Sequence, residues 1–255
     1  MPRPQSYREG QPRWIELEST DPPRAQRFYA QLFGWTATET PHTAGGHLDF
    51  LLDGALVAGV SRGAADRWLV YLSVDDAEAT ALEASAHGAG AITVDRAGER
   101  GTLLLLDDPT GARVGGWQAG THPGFEVMGQ PGSPVWFETV TDDFGAASAF
   151  YTSVFHWGLE VLSDTDEFRF STFGSGREAM TGIEDGARSL AGGPSHWVVY
   201  FGVEDADAAV TRALELGGSL QTAIEDTPFG RLAQLRDPVG AAFRVMQEPG
   251  PGGHG

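Results

Sequence analysis

From Arg13 to Ser19 the chain alternates, with Ile15 and Leu17 facing one way and Trp14, Glu16 and Glu18 the other, which predicts a strand. Thr20-Asp21-Pro22-Pro23 follows and supplies an N-cap and first-turn prolines. Ala25, Phe28, Tyr29, Leu32 and Phe33 then recur at i, i+3, i+4, i+7 and i+8, the apolar stripe of a helix. Gly34 suits the left-handed residue that ends such a helix, and Trp35 would fold back as its hydrophobic lock. A second unit opens with the strand RWLVYLSV (67–74), continues as a helix from Asp75 to His87 that stops at Gly88, and closes with two strands around the tight turn DDPTG (107–111).

The pattern occurs twice. FYAQLFGW at 28–35 returns as FYTSVFHW at 150–157, with His156 in place of the helix-ending glycine; His tolerates positive φ better than most residues. At an offset of 122, Pro12, Trp14, Glu16, Phe28, Tyr29, Phe33 and Trp35 match Pro134, Trp136, Glu138, Phe150, Tyr151, Phe155 and Trp157. Further on the offset is 129, pairing Trp68, Tyr71, Val74 and Asp76 with Trp197, Tyr200, Val203 and Asp205, and DPTG at 108–111 with DPVG at 237–240. Seven extra residues therefore enter the second copy between Trp157 and Trp197. This predicts an N-terminal domain over 1–118, a Gly/Pro-rich linker over 119–133, a C-terminal domain over 134–248 and a disordered tail over 249–255. Four β-α-β-β-β units make an α+β plan, with strands curled around a concavity and helices behind.

Composition narrows the function. A net charge of −18 argues against nucleic acid and against anionic membrane surfaces. There is no cysteine, which excludes disulfides, thiolate zinc sites and cysteine nucleophiles, and no lysine, which excludes a lysine base or Schiff base. No window reaches the eighteen apolar residues of a membrane span, so a soluble cytoplasmic protein, a monomer or weak dimer, is expected.

The first strand followed by DPPRAQRFYAQLFGW, then YLSVDDAEA…HGAG, then DDPTG before a last strand, resembles the glyoxalase/bleomycin-resistance/extradiol-dioxygenase (vicinal oxygen chelate) superfamily. The second half carries DDFGAASAFYTSVFHW, YFGVEDADAAV…LGG and RDPVG in the same order. The likeness is greatest to tandem two-domain actinobacterial members, some tied to antibiotic biosynthesis or resistance. It implies two incomplete eight-stranded barrels. Metal-using members take ligands fourteen residues before the Phe of the FY pair, five before the Val of VDD, and at the fourth residue after DPxG. Those positions hold Trp14 and Trp136, Leu69 and Val198, and Gly115 and Arg244. Indole, alkyl and guanidinium groups do not ligate divalent metals, so no metal and no other cofactor is expected.

The seven histidines form no H-x-x-x-H or H-E-x-x-H pattern. His42 and His47 fall in a Gly/Thr-rich loop, His87 near a helix end, His122 in the linker and His254 in the tail, and all read as solvated or capping. His196, next to Trp197 and Tyr200, would lie at a barrel mouth. If Trp14 faces inward, strand parity adds Glu16, Leu69, Tyr71, Ser73, Arg113, Gly115 and Trp117 to the first concavity. The second gains Trp136, Glu138, Val198, Tyr200, Gly202, Arg244 and Met246. Apolar, aromatic walls with few polar groups suit a small aromatic metabolite. Each glutamate either pairs with an arginine such as Arg113 or Arg244, or acts as a general acid or base with Tyr71 or Tyr200 beside it, or anchors a ligand without chemistry. Two functions follow: a metal-independent enzyme modifying an aromatic secondary metabolite, or a resistance protein that sequesters one. A third reading is a divalent-metal lyase or dioxygenase with a different ligand set.

Overall fold

The computed structural model describes residues 7–39, 47–165, 167–176 and 179–249; His42, His254 and, apart from Pro249, the expected tail lie outside them. The first half contains β1 (Pro12–Ser19), α1 (Pro22–Phe33), β2 (Thr36–Glu39), β3 (Leu48–Leu52), β4 (Ala55–Arg62), β5 (Arg67–Ser73), α2 (Ala77–Ala86), β6 (Gly90–Arg96), a 3₁₀ turn at 98–100, β7 (Gly101–Asp107) and β8 (Arg113–Ala119). The second contains β9 (Pro134–Thr141), α3 (Phe144–Val154), β10 (Leu159–Asp164), β11 (Arg169–Phe173), β12 (Thr181–Asp185), β13 (His196–Gly202), α4 (Ala206–Glu215), β14 (Ser219–Leu220), β15 (Glu225–Thr227), β16 (Gly230–Arg236) and β17 (Ala242–Gln247).

Each half builds its own sheet. The first runs β2-β3-β4-β1-β5-β8-β7-β6, and the second β10-β11-β12-β9-β13-β17-β16-β14, with β15 added beside β16. The sequence predicts eight strands per barrel; the short β15 is the addition. In both sheets two β-α-β-β-β units meet through their first strands, β1 with β5 and β9 with β13, so the inward residues of four central strands converge in each barrel. Aspartates cap all four helices: Asp21, Asp76, Asp143 and Asp205 accept from first-turn amides. Gly34 ends α1 at φ 76°, and His156 takes φ 56° at the matching place. The repeated glutamine has a local task as well: Gln118 and Gln247 accept from the Ala77 and Ala206 amides at 3.0 Å, which ties each final strand to a helix start.

The repeated aromatic phrase packs across the two halves. Phe28 and Tyr29 meet Phe243, and Phe33 and Trp35 meet Phe201 of the other half. Trp35 stacks on Tyr29 and donates to the Gly132 carbonyl at 2.7 Å; Trp157 stacks on Tyr151 and donates to the Gly10 carbonyl at 2.9 Å. Gly10 sits at φ 79°, and a Cβ there would stand 2.2 Å from the Phe155 carbonyl oxygen, so the crossing chain must be glycine.

A hydrogen-bond chain runs each way through this interface. Trp68 Nε1 donates to the Tyr29 hydroxyl, which donates to Asp237; Trp197 Nε1 donates to the Tyr151 hydroxyl, which donates to Asp108. These are the aspartates of the two DPxG turns. The other oxygen of each is held by its own turn's amides, three in the case of Asp237. Burial raises both aspartate pKa values, and the hydrogen bonds oppose it.

Candidate functional site

The inward faces of β9 and β13 bring Trp136, Glu138, Val198 and Tyr200 together, because Trp136 lies opposite Tyr200 and Glu138 opposite Val198. β17 runs parallel to β13 with Arg244 beside Tyr200. Glu138 is 3% exposed. Its Oε1 accepts a short hydrogen bond from the Tyr200 hydroxyl and another from Arg244 Nη1 at 2.9 Å, while Oε2 accepts from Trp136 Nε1 at 3.2 Å. Arg244 also contacts the Tyr200 hydroxyl, and its guanidinium lies over the tyrosine ring, 5.1 Å from the centroid. Burial, followed by the Glu138 charge, pushes the Tyr200 phenol well above its ordinary value, so the phenol stays protonated. Met246 and Val198 pack the floor of this cluster.

Glu184 on β12 joins the cluster. β12 runs parallel to β9 with Gly182 beside Glu138, and Glu184, two residues on, lies on the same face and accepts from the Ser189 hydroxyl at 3.4 Å. Burial and the negative charge of Glu138 push its carboxyl up to about 7. Sequence reasoning missed Glu184, because its inward neighbour on this short strand, Gly182, is too small to mark a face.

The first barrel differs. Arg113 does not pair with Glu16, as the sequence allowed; it pairs with Asp107 at 2.9 Å across the β7–β8 ladder. Glu16 instead meets His47 at 3.5 Å, and His47 meets Asp49 at 3.1 Å, which is held by both terminal nitrogens of Arg100 at 2.9 Å. His47 is therefore not a solvated loop residue: it begins the approach to β3 and bridges two carboxylates. Burial opposes its charge, but Asp49 and Glu16 outweigh burial and raise its pKa to about 9. Burial alone would raise Glu16 as well; the bond and charge of His47, with Ser61, hold it below its ordinary value instead. His122 is not exposed linker either. It is 4% exposed, edge-on to Trp14 at 4.4 Å, and burial followed by the nearby Arg100 charge lowers its pKa to about 4.

The remaining first-half residues fill the barrel. Trp14, Leu69, Tyr71 and Trp117 are 3–5% exposed. The Tyr71 ring occupies the space above Gly115, where a Cβ would stand 2.1 Å from it, and Trp117 donates to the His122 carbonyl at 3.1 Å. In the second half Trp136 and Arg244 keep partial exposure. His196 is only partly buried and donates Nδ1–H to the Pro194 carbonyl at 3.0 Å. A depression of about 380 Å³ lies past the ends of β13 and β17, lined by residues that include Gly202, Glu204 and Glu248, and shares only Met246 with the Glu138 cluster. The paired charges lie in the cluster and not in the depression.

Two tandem domains, each a sheet of paired β-α-β-β-β units, define the vicinal oxygen chelate fold. The chain belongs to the glyoxalase/bleomycin resistance protein/dioxygenase superfamily: that superfamily's profile matches residues 133–245, and the profile of a glyoxalase-like domain matches residues 14–114. It is 34% identical to CFP32 of Mycobacterium bovis over 98% of this chain and 99% of the relative. It is 37% identical to the anthracycline biosynthesis protein DnrV of Streptomyces peucetius over 93% of each chain. Among solved structures, the 2,3-dioxygenase LapB of Pseudomonas sp. KL28 superposes with a TM-score of 0.67 over 96% of each chain at 14% identity. The Mn(II)-bound glyoxalase of Novosphingobium aromaticivorans superposes with a TM-score of 0.66, over 95% of this chain and 83% of that one, at 17% identity.

A divalent metal, as in that glyoxalase, does not fit the corresponding places here. In the second barrel they hold the Trp136 indole, the Val198 alkyl group and the Arg244 guanidinium, whose positive charge repels a cation and already neutralises Glu138. Among the described residues no group of three or more His, Asp or Glu side chains is arranged to hold a metal, and no helix is long and apolar enough to cross a membrane.

Proposed function

We propose that the protein binds a planar aromatic metabolite of secondary metabolism in its second domain and acts on it by acid–base chemistry. The Glu138–Tyr200–Arg244 cluster carries this reading: a buried carboxylate, a neutral phenol and a guanidinium converge beside an indole that is still partly exposed. The kinship with an anthracycline biosynthesis protein supports the substrate class. In this arrangement Trp136 stacks on the ligand, Arg244 and the Tyr200 hydroxyl hold a ligand oxygen as it gains negative charge, and Glu138 takes or returns a proton at the adjacent atom. No step is routed through a metal.

A second reading is a binder that sequesters its ligand without turnover. It is favoured by the saturation of Glu138, whose two oxygens already accept three side-chain hydrogen bonds. Titration of tryptophan fluorescence with 1,8-dihydroxyanthraquinone tests binding in the wild type, Trp136→Ala and Trp14→Ala. Loss of the Trp136 indole should weaken binding roughly tenfold, about 1–2 kcal/mol, with Trp14→Ala nearer the wild type. Equal binding by Trp136→Ala and the wild type would remove the ligand from this pocket. Full conversion of the ligand by Glu138→Gln would leave the pocket standing and end the acid–base role.

A further inference from the structure

The two domains place an inward glutamate at the same point of the same strand, yet give it different companions. Aligned by ladder register, Glu16 and Glu138 stand beside Gly59 and Gly182, and the next inward residue on that neighbouring strand is Ser61 in one domain and Glu184 in the other. Across from it lie Asp49 and Thr172, which adjoin Gly59 and Gly182 on β3 and β11. The first barrel thus alternates its charges, Glu16, His47, Asp49 and Arg100, and every charge has an opposite neighbour. The second puts two inward carboxyls on adjacent strands, with one guanidinium bound to Glu138.

Two carboxylates cannot share a hydrogen bond unless one carries a proton. Which one does follows from the donors around them. Glu138 accepts from Tyr200, Arg244 and Trp136, so both of its oxygens already serve as acceptors. Glu184 has the Ser189 hydroxyl at 3.4 Å, and Phe170, its partner on β11, offers no polar group. Arg169 is engaged with Asp164 and Asp185, and His196 is bound to Pro194. We propose that Glu138 and Glu184 hold one exchangeable proton between them, that it resides on Glu184, and that this pair makes the second domain the acid-bearing half.

The assignment rests on the reading that a ligand meets Glu138, and Glu184 acts through that residue as a positioning acid. When the pair gives its proton through Glu138 to a ligand oxygen or carbon, the O–H bond on Glu184 breaks and one O–H or C–H bond forms on the ligand. The pair then carries two negative charges against Arg244 until a proton returns from the ligand or solvent. The upward displacement of the Glu184 titration, with burial as its leading cause and the Glu138 charge next, agrees with this arrangement.

Infrared spectroscopy of the ligand-free protein tests the pair independently of any ligand. The C=O stretch of a protonated carboxyl should be present at pH 6 and disappear with a midpoint near pH 7 in the wild type, and should be missing from Glu184→Gln over that range. Glu138→Gln removes the charge that adds to burial in raising Glu184, so the midpoint should fall, though not to the ordinary carboxylate range. Affinity for 1,8-dihydroxyanthraquinone should follow the same midpoint in the wild type and lose that dependence in Glu184→Gln, which a merely structural glutamate would not produce. A titrating band that survives in Glu184→Gln, or a midpoint indifferent to Glu138→Gln, would overturn the assignment. A wild type with the band but no affinity for the anthraquinone would sustain the proton pair and end the ligand reading alone.

Discussion

Removing the Tyr29 hydroxyl should be among the costliest single-atom changes in the protein. In Tyr29→Phe, Trp68 Nε1 loses its acceptor at 3.0 Å and Asp237 Oδ2 loses its donor at 3.1 Å. Tyr29 is wholly buried, and Trp68 and Asp237 are 4% and 3% exposed, so solvent does not replace either partner. An orphaned buried donor costs about 1–3 kcal/mol and an under-satisfied charged acceptor at least as much, which places the loss at about 3–5 kcal/mol. Against a total stability of roughly 5–15 kcal/mol that is a large fraction. Urea unfolding gives the measurement, with the midpoint falling at unchanged slope and both halves unfolding together because the bond crosses between them. Tyr7→Phe is the comparison: its hydroxyl donates to one neutral carbonyl in a partly buried place and should cost about 1 kcal/mol. A double-mutant cycle of Tyr29→Phe with Asp237→Asn should show coupling of about 1–2 kcal/mol. The reasoning fails if Tyr29→Phe costs no more than Tyr7→Phe, or if the two changes add without coupling. The mirror change Tyr151→Phe, which disconnects Trp197 from Asp108, should cost a similar amount.

Other outcomes follow from the two barrels. His47 titrates near 9 in the folded protein against an ordinary 6.5, so its stabilising contribution is fully present below pH 6.5 and is lost as pH rises through 9. The shift corresponds to about 3 kcal/mol, and thermal melts at pH 6 and pH 9.5 should differ less in His47→Gln than in the wild type. Arg244→Met leaves the Glu138 charge buried without its cation and should destabilise by about 3–5 kcal/mol. Adding Glu138→Gln should recover most of that loss in urea unfolding; no recovery would mean that Arg244 stabilises through packing alone.

The helices and first strands were legible because their signals are local: the stripe from Ala25 to Phe33 and the alternation from Trp14 to Glu18 form the elements they predict. The inward glutamate, tyrosine and Arg244 of the second domain were legible too, since parity along β9, β13 and β17 decides which side chains meet. What the aromatic stripe packs against was not legible. Phe201 and Phe243 lie far along the chain, and a helix pattern shows that a face is buried without showing in what. His47, Asp49 and Arg100 escaped for a related reason: they come from a loop end, a strand and a short 3₁₀ turn, whose meeting depends on sheet closure. Glu184 sits in a five-residue strand with one inward neighbour, Gly182, too small to mark a face.

The repeat itself acquires a physical reading. Tyr29 needs Asp237 and Tyr151 needs Asp108, so each half supplies the acceptor for the other's helix. A change on one side strands a buried partner on the other, which holds both copies to the same residues. The barrel interiors carry no such reciprocal demand, since β1 with its neighbours and β9 with theirs close separately. There the copies have parted: Asp49 against Thr172, Ser61 against Glu184, and Gly115 against Arg244 in equivalent register. Gly115 leaves room that the Tyr71 ring fills, whereas Arg244 keeps Tyr200 engaged with Glu138. The repeated helix aromatics and turn aspartates therefore hold the molecule together, while the repeated inward glutamate and tyrosine meet different companions wherever one half departs from the other.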